Sequence, residues 1–288
     1  MNLADFIVGH EVAIRLSAFF GVLVAMGLWE KVAPKRALTA SKVVRWTNNL
    51  GLVVLDSLLL RLLFPAAAVG MARFAQAEGW GLLRLTSLDP WLAGVLAVVA
   101  LDFVVWLTHV FAHAVPVFWR IHRVHHADLD YDVTTGARFH PLEIVVAMLI
   151  KFAAILLIGP SVAAVVVFEV LLNATAMFNH GNVGLPPALD RLVRLVLVTP
   201  DMHRVHHSVE DDEANSNFGF NLPWWDYLFG TYRAAPRAGQ LGMQIGIRGY
   251  RDPKRVSRLP GMLALPFVGK VRGYAINQRT WVSSDEDE

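Results

Sequence analysis

Five apolar stretches lie between residues 12 and 178 of this 288-residue chain. They cover residues 12–29, 50–71, 91–111, 144–158 and 162–178. A helix needs about 20 apolar residues to cross the hydrocarbon core of a bilayer, so each of the first three stretches can span a membrane alone. Hydrophobic residues make up 55% of the chain and charged residues only 17%, whereas about a quarter of an ordinary soluble domain is charged. The sequence therefore predicts an all-α integral membrane helical bundle.

The last two stretches are shorter, and they meet at Gly159-Pro160, where a helix cannot continue. They predict either a shallow or tilted hairpin or two full spans, which gives four to five membrane helices. The first stretch follows Asp5 and Glu11 rather than a basic segment and is too long for a typical signal-peptide core. We therefore expect a retained anchor. The apolar residues 259–268 include two prolines and predict a piece that packs or lies at the interface.

The charges of the loops predict how the bundle is oriented. The basic residues between the first two stretches are Lys31, Lys35, Arg36, Lys42 and Arg45, whereas Arg73 and Arg84 lie between the second and third. Because cytoplasmic loops are enriched in Lys and Arg, we place the first of these loops in the cytosol. Following the chain from there brings the histidine-rich segments described below to the cytosolic side and leaves His10 on the opposite side.

Nine of the eleven histidines are closely spaced. They are His109 and His113; His122, His125 and His126; His180; and His203, His206 and His207. Residues three and four apart share a helix face, so we expect each group to present its imidazoles to a common point. Neutral imidazole binds zinc, copper, iron or nickel, and nine ligands exceed what one tetrahedral or octahedral ion can use. The spacing predicts a site for two metal ions, whose identity it leaves open.

The composition excludes several other kinds of protein. The chain has no cysteine, which rules out disulfides, iron–sulfur clusters, thiolate-ligated haem and cysteine zinc sites. The formal net charge is only +2, and no basic run is interleaved with aromatic residues, so we expect no nucleic acid as partner. Histidine and carboxylate remain as the strong metal ligands.

Two of the apolar stretches carry polar residues in line with a histidine. Asp102 precedes His109 by seven positions, and Glu169 and Asn173 precede His180 by eleven and seven. Ionisable groups within membrane spans are costly and usually functional. We expect these three side chains to orient ligand histidines through hydrogen bonds. The alternative is a carboxylate that pairs with a basic residue and stabilises helix packing.

Other polar and aromatic residues have simpler interpretations. Trp119, Trp224, Trp225 and Tyr227 are expected at the membrane–water interface, which amphipathic rings prefer. The acidic run 210–213 is expected in a solvated loop.

Five segments of the sequence together resemble the fatty acid hydroxylase/sterol desaturase superfamily of membrane histidine-box oxygenases. They are HVFAHAVPVFWRIHRVHH at 109–126, RFHPLE at 138–143, NHGN at 179–182, TPDMHRVHH at 199–207 and NFGFNLPWWDYLFGTY at 217–232. The resemblance covers residues 92–232. It implies a non-haem di-iron centre that uses dioxygen to hydroxylate or desaturate a C–H bond of a lipid, with all nine histidines as ligands. His140 and Glu143 in RFHPLE are expected to cap a helix or support a ligand.

The resemblance also implies the organisation and partners of the protein. We expect membrane helices and loops over 1–90, a histidine-box domain with a cytosolic helical cap over 91–233, and a soluble segment over 234–288 with a disordered acidic end. A lipid such as a sterol or fatty acyl lipid enters from the bilayer, and a separate protein donates electrons, because HPLE at 140–143 lacks the HPGG pattern of fused haem domains.

A membrane metal-binding or metal-transport protein is the alternative from another class. Histidines that line a path through the spans would favour transport, whereas here they collect at one face. The sequence does not distinguish hydroxylation from desaturation. It also leaves open which lipid and which carbon react, which protein donates electrons, and the oligomeric state.

Overall fold

The computed structural model describes residues 2–269 and contains helices but no strand among them, apart from one isolated bridge between Ser208 and Ile245. The membrane part comprises α1 (Leu3–Gly9), α2 (Glu11–Val32), α3 (Lys42–Leu63), α4 (Ala67–Ala77), α5 (Pro90–Ala114), α7 (Pro141–Ile158) and α8 (Val162–Asn179). The remaining helices are α6 (Pro116–His126), α9 (Pro187–Val193), α10 (Pro200–His206), α11 (Asp211–Ala214), α12 (Trp224–Phe229), α13 (Gly239–Gly242), α14 (Pro253–Val256) and α15 (Leu259–Ala264). The all-α prediction is confirmed. The prediction for the acidic end, 283–288, falls outside the described residues.

Among residues 2–269, five helical segments are long and apolar enough to cross a membrane. They are Glu11–Val32, Lys42–Leu85, Pro90–Ala114, Pro141–Ile158 and Val162–Asn179. The higher of the two expected counts is therefore correct. Val24, Val54 and Leu157 each keep more than half of their surface exposed on the outside of the bundle. An exposed apolar surface of this kind is what contact with lipid requires.

The second span differs from its prediction. Its helix begins at Lys42, eight residues before the expected start, and ends at Leu63. Pro65 follows and lacks the backbone donor that a continuing helix needs, and Ala67 has a positive φ of 47°. The chain then continues as α4 within the same candidate span, Lys42–Leu85, so the second span is present as expected, but its helix is interrupted at 64–66, inside the predicted range 50–71.

The predicted break between the last two spans is confirmed. Gly159 ends α7 in the left-handed region with a φ of 70°, which glycine adopts without a steric penalty. Ser161 then caps α8, because its side chain accepts a hydrogen bond from the amide of Ala164. The two helices are separate spans, and their main apolar core is shared with α4 and α5 through buried residues such as Ala72, Leu101 and Phe168.

The loop between the first two spans lies at the same end of the bundle as the histidines. The amide of Lys35 donates to the carbonyl of Asn182 at 2.8 Å, and the amide of Thr39 donates to the carboxylate of Asp130. His10 precedes α2, a helix of 22 residues and about 33 Å, and lies at its other end. The histidines and the basic loop therefore share one end of the bundle, as expected.

The C-terminal part of the described chain packs onto the bundle. Val256, Met262 and Leu265 form a buried apolar cluster with Leu52 of α3 and Val124 of α6. Residues 259–268 therefore form a packing piece, which is one of the two expected forms.

Candidate metal centre

Four elements carry the nine histidines to one place. His109 and His113 lie on the last turns of α5, and Pro116 starts α6 directly afterwards, because proline fits the first position of a helix. The three histidines at 122–126 lie on α6, His180 caps the end of α8, and the three at 203–207 lie on α10 and its end. All nine side chains are buried.

The nine histidines divide into two groups that could each hold a metal ion. The first contains His109, His113, His122, His126 and His206, and the second contains His125, His180, His203 and His207. The ligand atoms within each group lie within 4.8 Å of one another. We expected the three imidazoles of each HRVHH segment to point to one place. This expectation is corrected, because each segment contributes histidines to both groups. Residues 122 and 126 are four apart and share a face, whereas residue 125 points from the neighbouring stripe of the helix.

Hydrogen bonds define which ring nitrogen faces the centre. The Nδ1 atoms of His109, His180 and His206 each lie 2.7 Å from a backbone carbonyl oxygen, of Phe218, Ala176 and Ser216 respectively. The Nδ1 of His125 lies 3.2 Å from the carbonyl of Arg138. A carbonyl oxygen can only accept, so these four nitrogens carry the hydrogen and donate it. Each neutral ring then has an unprotonated Nε2.

These unprotonated nitrogens face each other at short range. Nε2 of His109 and Nε2 of His206 are 3.0 Å apart, and Nε2 of His125 and Nε2 of His180 are 3.1 Å apart. Two lone pairs at this distance repel unless a cation lies between them. Nitrogen ligands about 2.1 Å from an ion and at right angles to each other lie about 3.0 Å apart. The spacing therefore fits a metal ion in each group.

Protonation of the histidines would not relieve this repulsion, because the buried imidazoles stay neutral. Burial lowers the pKa of His180 to about 3. Burial and the neighbouring imidazoles also lower the pKa values of His125, His203 and His207 well below the ordinary value. In addition, both ring nitrogens of His203 are buried without a hydrogen-bond partner. A buried polar group without a partner costs free energy, and metal ligation would remove that cost.

Glu143 supports a histidine of the first group. Its Oε1 lies 2.6 Å from Nδ1 of His122, in the arrangement by which carboxylates orient metal-binding imidazoles. His140 caps a helix, which is the other role expected for the RFHPLE segment. It precedes α7, and its Nδ1 accepts a hydrogen bond from the amide of Leu142.

The remaining three polar residues of the spans do not make the histidine contacts that we expected. The carboxylate of Glu169 lies 2.6 Å from both Arg15 and Lys151 and joins three membrane helices. Asn173 donates to the backbone carbonyl of Glu169. Asp102 accepts hydrogen bonds from Trp225 and from the amide of Leu222. Glu169 therefore has the alternative role, an ion pair with basic residues that stabilises helix packing. A charge buried in the apolar bundle needs such a partner.

Two further expectations are corrected. Trp119 is buried rather than interfacial, and its ring lies 4.9 Å from that of His113 and 5.4 Å from that of His126. The acidic run at 210–213 is not simply solvated. Glu213 is buried and accepts a hydrogen bond from the amide of Arg237.

Sequence reasoning missed a buried ionic network beside the second group. Asp128 binds the guanidinium of Arg45 through both carboxylate oxygens, at 2.6 and 2.8 Å, and Asp132 binds Arg45 at 2.5 Å. Arg138 completes the network and supplies the carbonyl that accepts from His125. Burial alone would raise the pKa of Asp128, but the charges of Arg45 and Arg138 outweigh it and hold the pKa far below the ordinary value. The signal was the D-x-D-x-D pattern at 128–132.

Asp226 was also missed. It is fully buried and accepts hydrogen bonds from the amides of Phe218 and Gly219, both at 2.9 Å, and from the side chains of Trp106 and Thr231. Phe218 is the residue whose carbonyl accepts from His109. Asp226 therefore fixes the loop that orients a histidine of the first group.

The fold and the site define a bundle of membrane-type helices with nine buried histidines in two groups, each of which could hold a metal ion. Residues 94–231 match the family model described as fatty acid hydroxylase. This region covers 138 of the 288 residues and contains all nine histidines, so the histidine-bearing part of the chain matches a fatty acid hydroxylase domain.

Three relatives show the same similarity. The chain is 30% identical to ornithine lipid hydroxylase OlsE of Rhizobium tropici over 186 residues, 64% of this chain and 53% of the relative. It is 30% identical to alkylglycerol monooxygenase of Homo sapiens over 162 residues, 54% of this chain and 34% of the relative. It is 31% identical to the Xenopus tropicalis alkylglycerol monooxygenase over 53% of this chain and 34% of the relative. The chain thus spans about half or less of these relatives. No solved structure matches it.

Proposed function

We propose that this chain is a membrane-bound lipid hydroxylase with two non-haem iron ions held by the nine histidines. The observation that carries the proposal is the set of facing, unprotonated Nε2 atoms in two buried groups, within a region of the fatty acid hydroxylase family. Iron, once bound, would supply the activation of dioxygen. The overall reaction consumes the C–H substrate, dioxygen, two electrons and two protons, and it yields an alcohol and water.

The residues of the chain would hold the two ions in fixed positions. The first ion would bind the five-histidine group, and the second ion would bind the four-histidine group. Carbonyl acceptors on Phe218, Ser216, Ala176 and Arg138 orient four of the rings, and the carboxylate of Glu143 orients a fifth. Because these acceptors lie on backbone held by helices and buried ion pairs, little reorganisation would be needed when the ions bind.

An aromatic layer would keep water away from the reacting C–H bond. The ring of Phe139 stacks on His125 at 4.7 Å, and Phe218 and Phe220 lie 5.5 and 4.9 Å from the ring of His109. Exclusion of water strengthens electrostatic interactions and suppresses side reactions of reactive species. The layer is also apolar enough to accept an acyl or alkyl chain.

The names of the relatives favour hydroxylation over desaturation and a polar-headed lipid over a sterol. One relative is named as an ornithine lipid hydroxylase and two as alkylglycerol monooxygenases. We therefore propose that the substrate is a membrane lipid with a polar head. A separate protein would donate the electrons at the cytosolic face, and the excess of Lys and Arg in the first loop supports this orientation of the histidines.

Isotope labelling tests this proposal. The iron-loaded, full-length protein is reconstituted in vesicles that contain an ornithine lipid or an alkylglycerol, with a chemical reductant and ¹⁸O₂. We expect one labelled oxygen atom in the product lipid and none when His125 is replaced by Ala. Unchanged lipids and no oxygen consumption, in protein shown to hold two irons, would contradict the proposal. Metal flux across the vesicle membrane would instead support the transport alternative.

A further inference from the structure

An apolar surface lies outside the five membrane-type helices, on α9, the residues after it, and α12. Eight of its side chains are between 41% and 70% exposed. They are Leu189, Leu192, Leu195, Val196, Trp224, Tyr227, Leu228 and Phe229. We call this surface the apolar collar. So many large apolar side chains in one place mark a binding surface rather than ordinary scatter.

The two parts of the collar are joined to each other. The indole Nε1 of Trp224 donates to the carbonyl of Leu195 at 2.7 Å, and the hydroxyl of Tyr227 donates to the carbonyl of Arg194 at 3.1 Å. These bonds link α12 to the end of α9. The collar is therefore one continuous surface.

The collar also packs against α5, the third of the membrane-type helices. The ring of Phe229 stacks on Trp106 at 4.8 Å and on Phe103 at 6.0 Å. Trp106 and Phe103 precede His109 by three and six positions, about 4.5 and 9 Å of helix toward the membrane interior. The short helix α12 thus lies beside a candidate spanning helix, at a level further from the end of α5 than His109.

We propose that the apolar collar is inserted into the leaflet that borders the metal centre, so that lipid chains cover it. The contact of Phe229 with the candidate spanning helix α5 argues for lipid rather than a second copy of the chain. Amphipathic helices with Trp, Phe and Leu on one face lie in this way at the membrane interface, and the Trp and Tyr at its edge suit the headgroup level. Helix α12 also carries the buried Asp226, so the proposed lipid-contacting segment is the one that fixes the loop at Phe218, whose carbonyl orients His109.

The absence of cysteine from the whole chain allows a direct test. Single-cysteine variants Leu192→Cys and Leu228→Cys of the full chain carry a nitroxide spin label in phosphatidylcholine and phosphatidylglycerol vesicles. Val54→Cys, on the exposed face of the second span, gives the reference for lipid, and Arg248→Cys, on the exposed surface of the histidine end, gives the reference for water. Collisions with dissolved oxygen and with a water-soluble nickel complex are then measured.

We expect both collar labels to resemble Val54→Cys, with nickel accessibility several-fold below that of Arg248→Cys. Nickel accessibility equal to that of Arg248→Cys at both positions would overturn the proposal. Spin–spin broadening that disappears on dilution with unlabelled chain would also overturn it, because a second copy would then cover the collar. Circular dichroism confirms that each variant is folded. The readout needs no turnover, so it is independent of the proposed hydroxylase activity.

Discussion

Replacing Glu143 by Gln should weaken metal binding by the five-histidine group and leave metal binding by the four-histidine group unchanged. The Oε1 of Glu143 accepts from Nδ1 of His122 at 2.6 Å, and Nε2 of the same ring lies 3.1 Å from Nε2 of His109. Glutamine keeps the size and one neutral hydrogen bond but removes the charge. Loss of such a supporting contact typically lowers metal affinity about 10- to 100-fold, which is about 1.4–2.7 kcal/mol of binding free energy.

Chelator competition measures this effect. Full-length wild type and Glu143→Gln are loaded with iron, and the ions that remain on each chain are counted as the concentration of a chelator rises. We expect the variant to release one ion at about 10- to 100-fold lower chelator concentration and the other ion at the wild-type concentration.

The matched control is Glu169→Gln, a second buried carboxylate, whose partners are Arg15 and Lys151. It should alter stability but leave the release of both ions unchanged. Equal loss of both ions from Glu143→Gln, or equal behaviour of the two variants, would refute the reasoning.

Three further changes have distinct expected results. His203→Ala should remove the second ion only, and His206→Ala the first, as counted by metal analysis; loss of both ions from either variant would show that the groups are not independent. Asp226→Asn should loosen the loop at Phe218 and lower the affinity of the first group by about tenfold, with an altered cobalt(II) absorption spectrum, whereas an unchanged spectrum would leave Asp226 without this role. Asp128→Asn should cost about 3–5 kcal/mol of stability at neutral pH, because it leaves a buried arginine without its full partner. The pKa of Asp128 in the folded protein is far below the ordinary value. The difference in unfolding free energy between wild type and Asp128→Asn should therefore shrink as the pH falls below about 4. Thermal unfolding at graded pH measures this difference, and a difference that grows at low pH would contradict the prediction.

The spans and the clustering of the histidines could be predicted because both depend on local sequence. Apolar length identifies a spanning helix, and Gly159-Pro160 ends one wherever it occurs. Spacings of three and four place histidines on neighbouring helix positions. These rules needed no knowledge of how the helices pack.

The division of the histidines between two groups could not be predicted, because it depends on docking between helices. His125 joins His180, 55 residues away, whereas its neighbour His126 joins His113. The burial of Trp119 has the same origin, since the tryptophan packs on rings brought by other helices. The partners of Glu169 come from two other spans, so its spacing from His180 carried no information about them.

Metal content per chain tests the central claim most directly. The full-length protein, purified in mild detergent and loaded anaerobically with iron, is analysed for iron and protein together. Nine imidazoles in two groups predict two iron ions per chain and no haem absorption. One ion or none at saturation, in protein that circular dichroism shows to be folded, would contradict the account.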